Sequence, residues 1–272
     1  MRWSHVCLLA VLTFLWIWML PLLCIGVMLC VPTALFLLPT CVCISLTLQY
    51  MHHGKIMSNT KLRQLFCSIP WHEWFPCNTI CVKETCVVAV HPHGLLCCGA
   101  LAGIHFVPGS STVFAVAPIL FYVPIIGWMI RLLGCIPATY DIMLEALRLK
   151  RSVIVMPGGV PEIVLSESGD DTRWFLEKRR GFLRLANEAS VPILVVGVVG
   201  ECATYSRILG PCLKERTYIS WRTNIPCTIP LFFGWYGTWI PKRTPLQLRT
   251  VRMLAPCKAD YITCLRQMFI NI

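Results

Sequence analysis

The chain has 272 residues, of which 56% are hydrophobic and only 14% are charged, whereas soluble domains usually carry about 25% charged residues. This composition favours a membrane protein over a soluble globular one, and the length suits one large domain or two small ones. The 24 basic residues against 13 acidic ones give a net charge of +11, which suits an anionic membrane surface, a phosphate-bearing ligand or a nucleic acid.

The 17 cysteines do not indicate a disulfide framework. They are odd in number and scattered, and several lie inside apolar runs, as Cys24 and Cys41 do. Free cysteine in such a setting behaves as a small hydrophobic residue. The pattern speaks against a compact secreted disulfide scaffold and favours a catalytic part that faces the reducing cytosol.

Residues 1–54 are predicted to form a membrane hairpin. No Asp, Glu, Lys or Arg occurs between Trp3 and Gly54, and this run is far longer than the about 20 apolar residues that one spanning helix needs. Arg2 before it and Lys55 after it favour both ends in the cytosol. A single tilted span is the alternative, and a cleaved signal peptide is disfavoured because its apolar core is only about 7 to 15 residues long.

The remaining residues, 55–272, are predicted to form one α/β domain. After a polar connector, short apolar strands alternate with amphipathic helices. The predicted strands are 86–90, 111–117, 152–156 and 192–200, and the predicted helices are 141–150 and 181–189. Such alternation is typical of an α/β fold with a mostly parallel sheet.

Polar residues follow three of the predicted strands. The sequence His-Pro-His-Gly (91–94) follows the first strand, Gly-Gly (158–159) with Glu162 follows the third, and Glu201 follows the fourth. Open α/β sheets bind ligands outside the carboxyl ends of their strands. The two histidines and the two carboxylates are therefore predicted to form an active site.

The His-Pro-His-Gly turn suits a general base. Pro92 restricts the backbone on either side of it, and Gly94 allows a close approach of backbone or ligand. An imidazole titrates near pH 6.5, so His93 can accept a proton from a hydroxyl, and Glu162 is predicted to orient or polarise it. The alternative is that both histidines, His91 and His93, are hydrogen-bonded structural residues.

Other chemistries fit the sequence less well. His91, His93, Cys97 and Cys98 lie close together, but adjacent cysteines lack zinc-site spacing, so no metal site is predicted. Neither the Gly-x-Ser-x-Gly elbow of serine hydrolases nor the Gly-Lys phosphate loop occurs. No recognisable nucleic-acid-binding module accompanies the basic charge, so nucleic acid is not a predicted partner.

Four blocks in order resemble the type-2 diacylglycerol acyltransferase family, which includes monoacylglycerol acyltransferases and wax synthases. They are HPHG at 91–94 with a glycine at 99, MPGGVPEIVL at 156–165, RRGFLRLANEASVPILVVGVVGE at 179–201, and GWYGTWIPKRTPLQLRTV at 234–251. The His-x-x-x-x-Asp pattern of lysophospholipid acyltransferases is absent, because Cys98 stands at the Asp position. The resemblance extends over nearly the whole chain.

The resemblance implies acyl transfer from acyl-CoA, without a further cofactor, to the hydroxyl of a neutral lipid, with diacylglycerol as the expected acceptor. Monoacylglycerol and wax alcohols are alternative acceptors. His93 is then the catalytic base, His91 supports it, and Glu162 and Glu201 belong to the site. A non-catalytic lipid-binding protein with the same fold is the rival function, and the altered segment at 124–131 favours it.

Further expectations follow from this reaction. Backbone donors near Gly158 and Gly159 would stabilise the oxyanion. Arg179, Arg180 and Arg243 would bind the phosphates of CoA, or else contact lipid headgroups as exposed surface residues. The family implies the endoplasmic reticulum membrane, with the lipid droplet as an alternative, and leaves a homo-oligomer open.

Overall fold

The structure is a computed structural model. It describes residues 69–106, 111–123, 126–165, 176, 179–208, 215, 217–219, 231–238 and 240–269. The predicted hairpin at 1–54 lies outside these residues, and none of the helices within them is long and apolar enough to span a bilayer. The chain divides into two compact units, one that includes Phe114–Ile142 and one that comprises Pro70–Val113 and the described residues from Met143 onwards.

The described elements alternate between strands and helices along much of the chain. In chain order they are α1 (Trp71–Trp74), β1 (Ile80–Val82), β2 (Val87–His91), α2 (Cys98–Gly103), β3 (Ile104–Phe106), β4 (Ser111–Val116), α3 (Ile126–Leu132), β5 (Ile136–Pro137), α4 (Tyr140–Arg148), β6 (Arg151–Val155), α5 (Gly159–Leu165), α6 (Gly181–Glu188), β7 (Ile193–Val199), β8 (Ser206–Ile208), β9 (Leu231–Phe233), β10 (Gln247–Met253) and α7 (Lys258–Phe269). Three 3₁₀ turns lie at Pro118–Tyr122, Glu201–Thr204 and Trp235–Gly237.

The central sheet of the second unit places β2 between two parallel neighbours. The strands β10, β7, β2 and β6 lie side by side in that order. Val87 of β2 is in register with Val153 of β6 and with Ile193 of β7, and β10 runs antiparallel to β7. The carboxyl ends of β6, β2 and β7 therefore meet at one edge of the sheet.

The core of this unit explains why these strands read as continuous apolar runs. All five residues of β2 are buried, as are most of those of β6 and β7. Strands of a parallel sheet are buried on both faces, which favours the β-branched residues found here. The helices α6 and α7 each bury one apolar stripe, whose spacing of three and four residues is that of an amphipathic helix.

The first unit contains the parallel pair of β4 and β5, in which Ala115 is in register with Ile136. Its core is a cluster of Phe121, Ile126 and Ile130. The unit thus has an apolar core of its own, made from the 3₁₀ turn at Pro118–Tyr122 and α3.

The predicted α/β class with a mostly parallel sheet is confirmed for the described residues. All four predicted strands and both predicted helices are present, with bounds that shift by one or two residues. The antiparallel edge strand β10 was not among the predicted strands. Leu248 is its one buried residue, and most of its other residues are polar, so no continuous apolar run identifies it.

Candidate functional site

His91, the last residue of β2, lies at the centre of a buried hydrogen-bonded chain. Its Nδ1 is 2.7 Å from Oε1 of Glu162, and its Nε2 is 2.8 Å from the hydroxyl of Tyr261. All three residues are almost completely buried. Burial raises the pKa of Tyr261 well above its ordinary value, so the phenol stays protonated. Its O–H donates a hydrogen bond to Nε2 of His91. Nδ1–H of His91 then donates to the carboxylate of Glu162.

Glu162 also holds the turn that follows β2. Its second oxygen, Oε2, accepts the backbone N–H of His93 at 3.1 Å. The carboxyl group folds back over Gly158: a Cβ built on this glycine would overlap the carboxylate and lie 2.5 Å from the Cβ of Glu162. Glycine at 158 is therefore required by the buried position of Glu162, and the two residues form one structural unit.

His93 is half-buried, and its imidazole is fixed by the turn itself. Its Nδ1 lies 2.7 Å from the carbonyl oxygen of Gly94, which can only accept, so Nδ1 carries the proton. No hydrogen bond among the described residues engages Nε2, whose lone pair is left to accept a proton. Burial lowers the pKa of His93, partly offset by the Gly94 carbonyl and the negative charge of Glu162, so the neutral basic form predominates at neutral pH.

Glu201 follows β7 and holds the amino end of α2. Its two carboxylate oxygens accept the backbone N–H groups of Cys98 and Gly99, each at 2.8 Å. Burial raises its pKa to about 7, although these two hydrogen bonds favour the charged form. Its side chain fills the space beside Gly94, where a Cβ would lie 2.6 Å from the Cγ of Glu201.

The spacing of the two glycines in the motif now has a physical cause. Gly94 has a φ of +58°, which favours glycine, and it packs on Glu201. A Cβ on Gly99 would lie 2.9 Å from Cγ2 of Val198 and 3.2 Å from Oε2 of Glu201. Both glycines thus make room for a buried carboxylate, and Glu201 positions the segment from 94 to 99.

The cysteines of this segment remain neutral thiols. Cys97, which has a positive φ of 53°, donates its thiol to the carbonyl oxygen of His93 at 3.0 Å. Burial raises the pKa values of Cys97 and Cys98 well above the ordinary thiol value, which disfavours the thiolate that metal binding or nucleophilic attack requires.

Most, but not all, of the predicted site residues meet at this edge of the sheet. His91, Pro92, His93, Gly94, Gly158, Glu162 and Glu201 do so. Arg179 is also near, because a Cβ on Gly159 would lie 3.6 Å from its Nη2. Arg180 lines a groove between α6 and the start of α7, and Arg243 is exposed, with no hydrogen bond among the described residues to His93 or Glu162.

Tyr261 is the site residue that the sequence analysis missed. It lies on the buried stripe of α7 together with Cys264, Leu265 and Met268. A tyrosine in such a stripe needs a hydrogen-bond partner for its hydroxyl, and that was the available signal. The partner, His91, is 170 residues away along the chain, so only the fold identifies it.

Comparison with known proteins identifies the family. Residues 27–254 match the family model described as "Diacylglycerol acyltransferase". The chain belongs to the diacylglycerol acyltransferase family. The match covers most of the chain and includes the His-Pro-His-Gly turn, both buried carboxylates and Arg179, so the resemblance drawn from the four sequence blocks is confirmed.

Individual family members are similar over part of their length. The human protein "2-acylglycerol O-acyltransferase 3" is 32% identical over 42% of this chain and 37% of its own length. "Diacylglycerol O-acyltransferase 1" of Saccharomyces cerevisiae is 27% identical over 58% and 40%, and human "Acyl-CoA wax alcohol acyltransferase 2" is 27% identical over 67% and 61%. The matches thus span less than two thirds of each relative.

Proposed function

We propose that this chain transfers a fatty acyl group from acyl-CoA to the hydroxyl of a neutral lipid, with His93 as the general base. The orientation of the imidazole carries the proposal. Nδ1–H is held by the carbonyl oxygen of Gly94, so Nε2 presents its lone pair, and burial lowers the pKa so that this lone pair is available at neutral pH. The family membership supplies the reaction class.

The proposed reaction needs one proton transfer in each direction. Nε2 of His93 takes the proton of the acceptor hydroxyl as its oxygen bonds to the thioester carbonyl carbon. The tetrahedral intermediate then collapses, its carbon–sulfur bond breaks, and the departing CoA thiolate takes the proton from the imidazolium. No cofactor is consumed, and the products are the ester and free CoA.

Glu162 and His91 act as positioning residues in this proposal. Glu162 holds the backbone of His93, and its negative charge stabilises the imidazolium that forms during the reaction. His91 and Tyr261 in turn fix the carboxylate of Glu162. Arg179, which stands over Gly159, is available to an anionic part of the acyl donor.

Diacylglycerol is the acceptor that we propose to test first, since the family model and the yeast relative carry that name. The names of the two human relatives make a monoacylglycerol and a long-chain alcohol the alternatives. We also propose that the reaction takes place at the endoplasmic reticulum membrane or a lipid droplet, where such acceptors dissolve.

The test is a microsomal assay of the full chain with labelled acyl-CoA and these three acceptors. We expect His93→Ala to lower the rate by about 10²- to 10⁴-fold, the usual contribution of a general base. His72→Ala is the matched control, because His72 is exposed in α1. Equal ester formation by wild type and His93→Ala would remove His93 from the mechanism. Lipid binding by the wild type without ester formation from any acceptor would favour the non-catalytic rival.

A further inference from the structure

A groove of about 710 Å³ lies outside the histidine cluster, between α6 and the start of α7. Three cations line it, Arg180, Arg184 and Lys258, together with the amide of Asn187. No Asp or Glu is among the lining residues. The groove therefore combines three positive charges with an uncharged hydrogen-bonding group, and no function has yet been assigned to Arg184 or Lys258.

The positive charge of the groove is built into two helices. Arg180, Arg184 and Asn187 are spaced by four and three residues, so they share one face of α6, and Lys258 begins α7. Like charges four residues apart disfavour a helix slightly. Such a convergence of cations suits an anion with several charges.

The groove also offers an apolar surface. Leu183 and Ile262 line it beside the cations. A ligand that fits both features carries phosphate groups on a flat, weakly polar ring, as the nucleotide end of CoA does. A bare phosphate would use the cations alone.

The groove is connected to the histidine cluster through the same two helices. Phe182 of α6 contacts Tyr261 of α7, with ring centroids 5.0 Å apart, and Tyr261 bonds to His91. Arg180 directly follows Arg179, which stands over Gly159 near Glu162. An extended ligand that contacts both Arg179 and Arg180 would therefore link the two sites.

We propose that this groove binds the 3′-phosphorylated adenosine diphosphate end of acyl-CoA, with Arg184 and Lys258 contacting its phosphates. This assignment rests on the proposed acyl-CoA-dependent function. The groove then holds the part of the donor that does not react. It therefore contributes to binding of the donor rather than to the chemical step. Arginine and lysine both bind phosphate, and the guanidinium does so with two parallel hydrogen bonds.

The test compares the Arg184→Gln/Lys258→Gln double variant with wild type in the full chain. Glutamine keeps the helix propensity and removes both charges. We expect KM for acyl-CoA and Kd for 3′,5′-adenosine diphosphate to rise by about tenfold or more, because two charge-assisted hydrogen bonds are lost. The kcat should stay within about twofold, and KM for acyl-pantetheine, which lacks the nucleotide, should not change. Arg266→Gln is the matched control, since Arg266 is exposed on α7 and does not line the groove.

Each other outcome overturns the assignment. Unchanged nucleotide affinity in the double variant would show that the groove does not hold CoA. Loss of binding to vesicles containing phosphatidic acid, with unchanged nucleotide affinity, would assign the groove to lipid headgroups instead. The nucleotide-binding measurement does not depend on turnover, so a wild type that binds 3′,5′-adenosine diphosphate through the groove but forms no ester would refute the proposed reaction and not the groove.

Discussion

Glu162 and Glu201 are two buried carboxylates on either side of the same turn, yet they have different partners. Glu162 follows β6 and bonds to the ring of His91 and the backbone of His93. Glu201 follows β7, and among the described residues its carboxylate bonds to two backbone N–H groups at the start of α2. Each makes two hydrogen bonds and each forces glycine onto a neighbouring position.

This difference separates a charge that influences the reaction from one that shapes the backbone. The carboxylate of Glu162 raises the pKa of His93 against the opposing effect of burial, so its charge acts on the base. Glu201 makes no hydrogen bond to a histidine side chain in the part of the chain that the structure describes. A buried acid at a strand end is therefore not by itself a catalytic group, and the partners of its oxygens decide its role.

The largest effect is expected from Gly158→Ala. The new Cβ would overlap the carboxylate of Glu162, whose own Cβ, only 2.5 Å away, cannot swing aside. Displacing Glu162 breaks its bonds to His91 and His93, so we expect activity to fall to the background and the free energy of unfolding to fall by about 3 kcal/mol. Esterification assays and urea denaturation measure the two effects.

Gly181→Ala provides the matched control for that substitution. A Cβ on Gly181, the first residue of α6, would meet nothing within 4 Å. We expect this variant to keep full activity and to be as stable as wild type or more stable by up to about 1 kcal/mol. An equal loss of activity and stability in both variants would show that replacing any glycine at or just before the start of a helix is harmful, and that the fit around Glu162 is not the cause.

Replacing each carboxylate by an amide is the second test. Both oxygens of Glu201 accept backbone N–H groups, whereas an amide has only one oxygen. In Glu201→Gln the side-chain NH₂ therefore faces one of these buried N–H groups, and we expect the free energy of unfolding to fall by about 1 to 3 kcal/mol. Glu162→Gln is tolerated better, because His91 can change tautomer and the hydroxyl of Tyr261 can then accept. Its effect should be on activity, with a lower kcat and a lower apparent pKa of His93.

Reversed effects of the two variants would contradict the different roles of Glu162 and Glu201. We expect Glu201→Gln to have the lower free energy of unfolding in urea denaturation, and we expect the pH dependence of kcat/KM to shift in Glu162→Gln only. A shift of the acidic limb in Glu201→Gln would mean that Glu201 acts on the base after all.

The ends of the strands could be predicted from the sequence because buried parallel strands are continuous apolar runs, and each run stops where its strand ends. The residues that follow β2, β6 and β7 must meet at one edge, so grouping His93 with Glu162 required only the fold class. The same reasoning grouped Glu201 with them but did not distinguish its role. That distinction depends on which donor each oxygen faces, and this is set by side-chain packing between residues about 70 and 100 positions apart.

Other features lay beyond what the sequence could reveal. Tyr261 reads as part of an ordinary amphipathic helix, and nothing in its neighbours identifies His91 as its partner. Arg243 lies in a block that resembles the family, yet the fold leaves it exposed. Family blocks therefore located the strand-end residues, whereas the contacts of individual cations depended on how α6 and α7 pack.

Tyr261→Phe should have a smaller effect than either amide variant. It removes only the hydroxyl that donates to Nε2 of His91, while the ring keeps its contact with Phe182. We expect a stability loss of about 1 kcal/mol and a several-fold fall in kcat, because His91 and Glu162 are then held less firmly. Unchanged kcat at reduced stability would limit Tyr261 to a structural role.

The last expected effect is the pH dependence that Glu201 gives to the free energy of unfolding. Its folded pKa of about 7 lies above the ordinary value of 4.5, so the folded state binds more protons than the unfolded state between these values. The stabilising contribution is therefore complete below pH 4.5 and is lost as the pH rises through about 7.

Glutamine does not titrate, so the difference in the free energy of unfolding between wild type and Glu201→Gln, the stability gap, should narrow as the pH rises from about 5 to about 7.5. The gap should not close, because an ionised carboxylate still accepts both N–H groups and an amide does not. A gap that widens with pH in urea titrations would instead mean that the two N–H groups keep Glu201 ionised throughout, and that they outweigh its burial.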